Sequence, residues 1–388
     1  MHIQSITGSP ATMAYRAGPT LNYGQHRIWC IISCTSLHEK MDWTGLIMPA
    51  SPLDRFPRAK LLQQPTPTER LDRLSDHLGI DLWIKRDDLA GVSFGGNKSR
   101  QLEYYLGAAV ACESTVILIT GAVQSNFVRT AAASAAKLGM RTVIQLEDRV
   151  ASPEVAYEHS GNVFLSQILG AEIMRYPEGE NEAGADKALR ERAAELETEG
   201  ERPFVIPLGL GNKPLGAMGY MRAAEEIVQF GMQFNRIFVA SGSGLTHAGL
   251  LCGLRLLGDQ TAVTGSCVRR PADAQHARIA TVIADLQKLL EQNSGVSEQD
   301  INIWDGALAP GYGQVGPKAA EAIRMVARME GLFLDPVYTS KVFAAIPAQI
   351  ENGDLRKGSR VLFVHTGGLP ALFAYEESIL AALDSANG

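Results

Sequence analysis

The sequence predicts an α/β protein of two lobes, with mostly parallel sheets covered by helices. Length is the first reason: 388 residues are too many for one small core. Alternation is the second. From about residue 60 short apolar runs take turns with helical stretches, the pattern of strands covered on both faces. Composition is the third, with 46% hydrophobic and 20% charged residues, as in ordinary soluble globular proteins.

The apolar runs at 81–85, 116–120, 141–146, 172–175, 204–207, 236–240, 262–268 and 360–365 read as strands. Helical stretches fall at 98–110, 124–138, 154–169, 182–199, 216–230, 245–257, 272–291, 317–330, 340–352 and 369–382. The charged stretch 182–199 reads as a solvated helix face without a functional message. Residues 1–47 have no sustained period and no signal-peptide layout. They are expected to be a disordered extension or to precede a true start near Met48, and the second reading is preferred.

The net charge of −6 argues against a nucleic-acid partner, which demands a basic face. No apolar run is long enough to suggest a membrane span. The five cysteines, Cys30, Cys34, Cys112, Cys252 and Cys267, are odd in number and sparse, which points to a reducing compartment and so to the cytoplasm. Cys112, Cys252 and Cys267 sit in apolar contexts and read as core residues. Cys30 and Cys34 lack a second Cys/His pair at ligand spacing, so no metal site is expected.

Four constellations can carry chemistry. Phe94-Gly95-Gly96-Asn97-Lys98 is a Gly-rich turn after a strand, and Lys98 opens a helix. A lysine placed there can reach into a cleft and, when partly desolvated, form a Schiff base. The plain alternative is an exposed lysine on a first helical turn. Gly121-Ala122-Val123-Gln124-Ser125-Asn126 again leads from strand to helix. Free N–H groups and the helix dipole favour an anion such as a carboxylate there; ordinary N-capping is the alternative.

The loop Ser241-Gly242-Ser243-Gly244-Leu245-Thr246 reads as a phosphate cradle of small residues and hydroxyls. It is not a dinucleotide loop, because His247 stands where the third glycine belongs. His247 itself reads as a core-facing helix residue. The segments Gly311-Tyr312-Gly313, Pro336-Val337-Tyr338-Thr339 and His365-Thr366-Gly367-Gly368 complete the set. Their tyrosine hydroxyls either exchange protons in a cleft or are the wet tips of packing residues.

In this order, the segments Gly-Gly-Asn-Lys, Gln-Ser-Asn, Ser-Gly-Ser-Gly-x-Thr-His-Ala-Gly, Asp-Pro-Val-Tyr and His-Thr-Gly-Gly resemble the D-cysteine desulfhydrase and 1-aminocyclopropane-1-carboxylate (ACC) deaminase family. The resemblance runs from about Phe56 to the C-terminus. It implies a fold-type-II pyridoxal 5'-phosphate (PLP) enzyme similar to the tryptophan synthase β-subunit, a homodimer acting on a small amino acid. It also implies a large domain of residues 48–97 with 211–388, a small domain of residues 98–210, and the cofactor between them. By the same resemblance Lys98 is the Schiff-base lysine and Asn126 contacts the cofactor's ring hydroxyl. Ser241, Gly242, Ser243, Gly244, Leu245 and Thr246 hold the phosphate, and Thr366 lies near the pyridine nitrogen. Gln124, Ser125, Asn126 and Thr339 bind substrate, while Ser125, Tyr312 and Tyr338 join Lys98 as catalytic residues.

The implied activity is a carbon–sulfur lyase reaction: β-elimination giving pyruvate and ammonia, from D-cysteine with loss of sulfide or from L-cysteate with loss of sulfite. The alternatives are an ACC deaminase giving 2-oxobutyrate and a PLP-binding protein without turnover. Thr339 and Thr366 stand where ACC deaminases resemble one another in Glu and Leu, which favours the desulfhydrase side. A threonine near the pyridine nitrogen makes the ring a milder electron sink, suited to a good leaving group. Leu245 and Phe127 depart from the family pattern. Arg129 is a candidate for a sulfonate, against the ordinary surface place of a helix arginine.

Overall fold

The computed structural model describes residues 51–63, 65–151 and 153–385. The expectations for residues 1–47, for Met48 and for Cys30 and Cys34 lie outside the described residues. The first half of the chain runs β1 (Thr68–Arg70), α1 (Asp72–Leu78), β2 (Asp81–Lys85), α2 (Asn97–Ala111), β3 (Val116–Ala122), α3 (Asn126–Lys137), β4 (Arg141–Glu147), α4 (Val155–His159), α5 (Gly161–Ile168), β5 (Glu172–Tyr176), α6 (Glu182–Thr198) and β6 (Pro203–Ile206). The second half runs α7 (Leu215–Gln229), β7 (Arg236–Ser241), α8 (Leu245–Leu256), β8 (Ala262–Cys267), α9 (Ala272–Leu290), β9 (Asn302–Trp304), α10 (Pro317–Glu330), α11 (Thr339–Phe343), α12 (Ala345–Glu351), β10 (Arg360–Val364) and α13 (Glu376–Ser385).

Two sheets result. The larger has the order β1-β2-β10-β7-β8-β9 and the smaller β5-β4-β3-β6. Among the described residues only the edge pair β1/β2 is antiparallel; the other pairings are parallel. The register is set on both sides of β10, where Val361 pairs with Leu82 and with Arg236. Helices cover both faces of a parallel sheet, so its central strands are continuous apolar runs. β3 is buried throughout, and β7, β8 and β10 beyond their first residue. One apolar cluster joins the sheets, with Ile84, Phe238 and Phe363 from the larger and Ile117, Ile119 and Ile144 from the smaller. α2 enters it through Leu102, Tyr105 and Leu106.

Several expectations needed correction. β1, β9 and α1 carry too little apolar pattern to be read as elements. The helix expected at 154–169 breaks at Ser160, because Gly161 takes φ +56°. The one expected at 340–352 divides at Ala344, near Pro347, which has no N–H to continue the ladder. The stretch 369–382 begins as a 3-10 turn over Leu369–Ala374. Cys112 is exposed at the end of α2, whereas Cys252 and Cys267 are buried.

Beneath α2 lies a desolvated charge network. Arg100 donates to both carboxylate oxygens of Asp87 at 2.8 and 2.9 Å, and to both of Glu226 at 2.6 and 2.8 Å. Lys85 donates to Glu226 at 2.7 Å; Tyr220 and Thr66 each donate to Asp87 at 2.7 Å. Two cations thus face two anions. Burial alone would raise the Asp87 carboxyl; the Arg100 guanidinium, with Lys85 and the Tyr220 hydroxyl, outweighs it and holds the group below its usual range. The sign follows: this stability is present above the unfolded carboxylate value of about 3.9 and is lost as pH falls through the lower folded value. Asp87→Ala leaves both cations against one carboxylate and is expected to cost about 3–5 kcal/mol in denaturant unfolding at neutral pH. A loss below about 1 kcal/mol, the scale of a surface pair, would contradict the network's role.

Candidate active site

In open parallel sheets, ligands sit outside the carboxyl ends of the strands. Here the segments that follow β3, β4, β6, β7 and β8 line one cleft of about 1000 Å³, counting the part open to solvent. Lys98, Ser125, Asn126, Gly242, Ser243, Leu245, Tyr312 and Tyr338 all line it. A smaller recess shares Lys98, Asn126 and Tyr338 with the cleft and adds Asn97, Thr366 and Gly367.

Lys98 is half-buried on the first turn of α2. Its Nζ lies 3.4 Å from Gln101 Oε1 and 5.3 Å from the centre of the Phe127 ring. No carboxylate pairs with it among the described residues. Burial therefore acts unopposed and lowers the ammonium to about 8. The turn before it is pinned by backbone bonds from Gly96 N–H to Asp87 O at 2.8 Å and from Asn97 N–H to Thr366 O at 3.1 Å. His365 shapes the facing segment: its Nδ1 accepts from Gly367 N–H at 3.2 Å, which leaves Nε2 to donate to Phe333 O at 3.0 Å.

The Gly/Ser loop after β7 is built as a cradle. Its carbonyls are engaged from behind: Gly242 O accepts from Arg270 at 3.3 Å and from Gln275 at 3.1 Å, and Ser243 O accepts from Arg278 at 2.8 Å. The N–H groups of Ser243, Gly244, Leu245 and Thr246 find no protein acceptor among the described hydrogen bonds. They open the first turn of α8, where the helix dipole favours an anion. Gly244 takes φ +101°, and a Cβ on Gly242 would lie 2.9 Å from Val268. Leu245 in the family's glycine place takes helical geometry and lines the cleft.

Not every residue singled out in the loop faces the cleft. Ser241 is fully buried, accepting from Gln275 at 2.9 Å and lying 3.3 Å from His247 Nδ1. Thr246 Oγ1 accepts from Asn97 and from Gln101, each at 2.9 Å, so it ties the lysine's helix to the cradle. His247 is buried with its ring lowered to about 4 by burial.

At the N-terminus of α3, Ser125 Oγ accepts from Phe127 N–H at 3.1 Å and from Val128 N–H at 3.5 Å. The N-cap reading and the cleft position therefore both hold for Ser125. Gln124, expected to bind substrate, is engaged by the protein backbone. Its carboxamide donates to Tyr157 O at 2.6 Å and Ser160 O at 3.0 Å, and accepts from Asn162 N–H at 2.9 Å. Those bonds turn it to the backbone behind the cleft. Thr339, also expected to bind substrate, has its hydroxyl donating to Asp335 at 2.7 Å and is fully buried. Arg129, weighed as a sulfonate ligand against a surface place, is fully buried and bonds to Ser93 O, to Asn162 at 3.0 Å and to Asn126 at 3.4 Å. Its guanidinium is thus already engaged by the protein.

The Tyr312 and Tyr338 hydroxyls meet at 2.9 Å. Burial, followed by the neighbouring Tyr312, raises Tyr338 well above its usual range, so Tyr338 keeps its proton at ordinary pH.

Sequence reasoning missed the basic wall. Glu182 opens α6 and gathers Arg269 at 2.8 Å, Arg270 at 2.6 Å and Arg278 at 3.1 Å. Burial would raise its carboxyl, but Arg278, Arg270 and Arg269 outweigh burial and lower it. The stretch 182–199 is therefore not only a solvated face. Its first residue looked like any other acid in a charged run, and no local signal set it apart.

A neutralisable lysine and a phosphate cradle, bound together through Thr246, fit a ligand carrying both an aldehyde and a phosphate. Comparison with known proteins agrees with that donor set. Residues 59–367 match the pyridoxal-phosphate dependent enzyme family. A D-cysteine desulfhydrase of Yersinia enterocolitica is 39% identical over 330 residues, covering 84% of this chain and 98% of the relative. A D-cysteine desulfhydrase of Salmonella typhi is 40% identical over 335 residues, covering 86% and 100%. A solved structure described as an ACC deaminase homologue shares 35% identity with a TM-score of 0.76, covering 86% of this chain and 98% of that one. An O-ureido-L-serine synthase, 19% identical with a TM-score of 0.56, shares the fold. Sequence, fold and donor set agree, and the chain belongs to the pyridoxal-phosphate dependent enzyme family.

Proposed function

We propose that the chain is a carbon–sulfur lyase that eliminates the β-substituent of a small cysteine-like amino acid, with D-cysteine giving sulfide, pyruvate and ammonia. The observation that carries this reading is the near-complete coverage, at 39–40% identity, of relatives named D-cysteine desulfhydrase. Lys98 is the residue to hold PLP covalently, with the N–H groups of Ser243 to Thr246 on its phosphate and Asn126 and Thr366 beside its ring. Bound there, PLP supplies an electron sink for charge developing at the substrate α-carbon.

The chain's own groups do the rest. Ser125 and Asn126, at the positive end of α3, orient the substrate carboxylate. Lys98 Nζ, lowered to about 8, is the base for the α-proton near neutral pH. The Tyr312–Tyr338 hydroxyl pair, in which Tyr338 holds its proton, delivers one proton to the departing sulfur. Gln124 and Thr339 act from behind as supports for 157–162 and for Asp335. A homodimer, a cytoplasmic setting and the two-domain division at residues 98–210 belong to the same proposal, supported by the family resemblance and the sparse cysteines.

The ACC deaminase homologue among the similar structures favours a second reading, in which ACC gives 2-oxobutyrate and ammonia. An assay of D-cysteine, L-cysteine, L-cysteate and ACC with separate detection of pyruvate, 2-oxobutyrate, sulfide and sulfite decides. Pyruvate with sulfide from D-cysteine is expected; 2-oxobutyrate from ACC alone would overturn the proposal.

Lys98→Ala is expected to lose the yellow cofactor band and to lower turnover by at least about 10³-fold, and normal turnover in that variant would refute the assignment. The rate at which the cofactor-free chain captures PLP, trapped by borohydride at Lys98 and followed by mass spectrometry, should rise with pH as the amine becomes neutral. Its half-maximum is expected near pH 8; a midpoint near 10.4, the ordinary lysine value, would contradict the burial argument.

A further inference from the structure

Lys341 is a buried lysine that the proposed reaction does not use. It lies on α11, directly after Tyr338, which caps that helix, and its Nζ donates to Gly311 O at 2.7 Å and to Leu308 O at 3.2 Å. Those two carbonyls belong to the loop that delivers Tyr312. The ammonium thus joins the helix carrying one hydroxyl of the pair to the loop carrying the other. Asp335, the nearby acid, is engaged elsewhere: its oxygens accept from the N–H groups of Val337 at 3.0 Å, Tyr338 at 2.9 Å and Thr339 at 2.7 Å.

A cation buried against neutral carbonyls costs desolvation free energy, and burial here lowers the amine to about 8 against the opposing pull of Asp335. On the far side, Gly313 packs so closely that a Cβ would lie 2.5 Å from Val150 and 3.0 Å from the Tyr375 hydroxyl. That contact limits the loop's travel but provides no hydrogen bond that sets the height of Tyr312 against Tyr338. The two bonds from Lys341 tie that loop to α11.

We propose that Lys341 is a positioning residue that sets the Tyr312 hydroxyl in hydrogen-bond register with Tyr338. The inference rests on the lyase reading only for its kinetic test. Misplacement of a proton-transfer group by about 1 Å can cost up to 100-fold in rate. In the PLP-loaded full chain, Lys341→Met should lower kcat on D-cysteine between about tenfold and 100-fold, with KM changed less than about twofold. In a Tyr312→Phe background the same substitution should change kcat less than about twofold, because the group it places is already gone. A crystal structure of Lys341→Met should show the two hydroxyls parted beyond about 3.5 Å. Additive losses in the two backgrounds, or an undisturbed hydroxyl contact at 2.9 Å, would overturn the proposal. Should Lys341→Met fail to fold, Lys341→Gln takes its place with the same readings. If the wild-type chain turns over no amino acid in the panel, the lyase reading is what fails, and the crystallographic measurement alone decides Lys341.

Discussion

The buried guanidinium of Arg100 is the constraint on which the rest of the site depends. It stands two residues after Lys98 on α2 and is saturated by two carboxylates, one from the turn after β2 and one from α7. Removing either acid would strand a charge in a low dielectric, so the arrangement has few neighbouring alternatives. α7 approaches α2 closely enough that a Cβ on Gly219 would lie 2.1 Å from Arg100 O. The helix that presents Lys98 therefore cannot rotate or slide without breaking the network beneath it. Precision at the amine comes from electrostatics two residues away rather than from contacts of the amine itself.

The opposite design governs Lys98. It is left without a carboxylate, and the same low dielectric that strengthens the Arg100 pairs lowers its ammonium toward neutrality. Burial lowers Lys341 too, against the pull of Asp335, but its amine donates to two carbonyls rather than facing the cleft. One helix turn of α2 thus holds a charge that must stay and a charge that must leave.

The cradle is divided in a similar way. Arginines and Gln275 take the loop carbonyls from behind, which leaves the N–H groups to face the cleft. Glu182 keeps Arg269, Arg270 and Arg278 in place and reduces their mutual repulsion. Thr246 then fixes the separation between cradle and lysine by accepting from Asn97 and Gln101 at once. A ligand bridging the two ends meets a site whose spacing is already set, so little ordering remains to be done on binding.

The eight longer strands, the Gly-rich turns that end them and the positions of Lys98 and the Gly/Ser loop were legible in the amino-acid pattern. Each is local: a buried parallel strand needs a run of apolar residues, and a phosphate cradle needs small ones. Short edges such as β1 and β9 were not legible, because three residues carry no period. Ser125 and Gln124 are adjacent and equally polar, yet one lines the cleft and the other braces the backbone of 157–162. Arg129 and Glu182 looked like surface charges until distant partners enclosed them. Local chemistry alone thus decided which segments could carry the reaction. Which side chains face the cleft, which ammonium groups burial destabilises and which arginines share one glutamate was decided only by folding, because burial and charge pairing join residues that stand far apart in the chain.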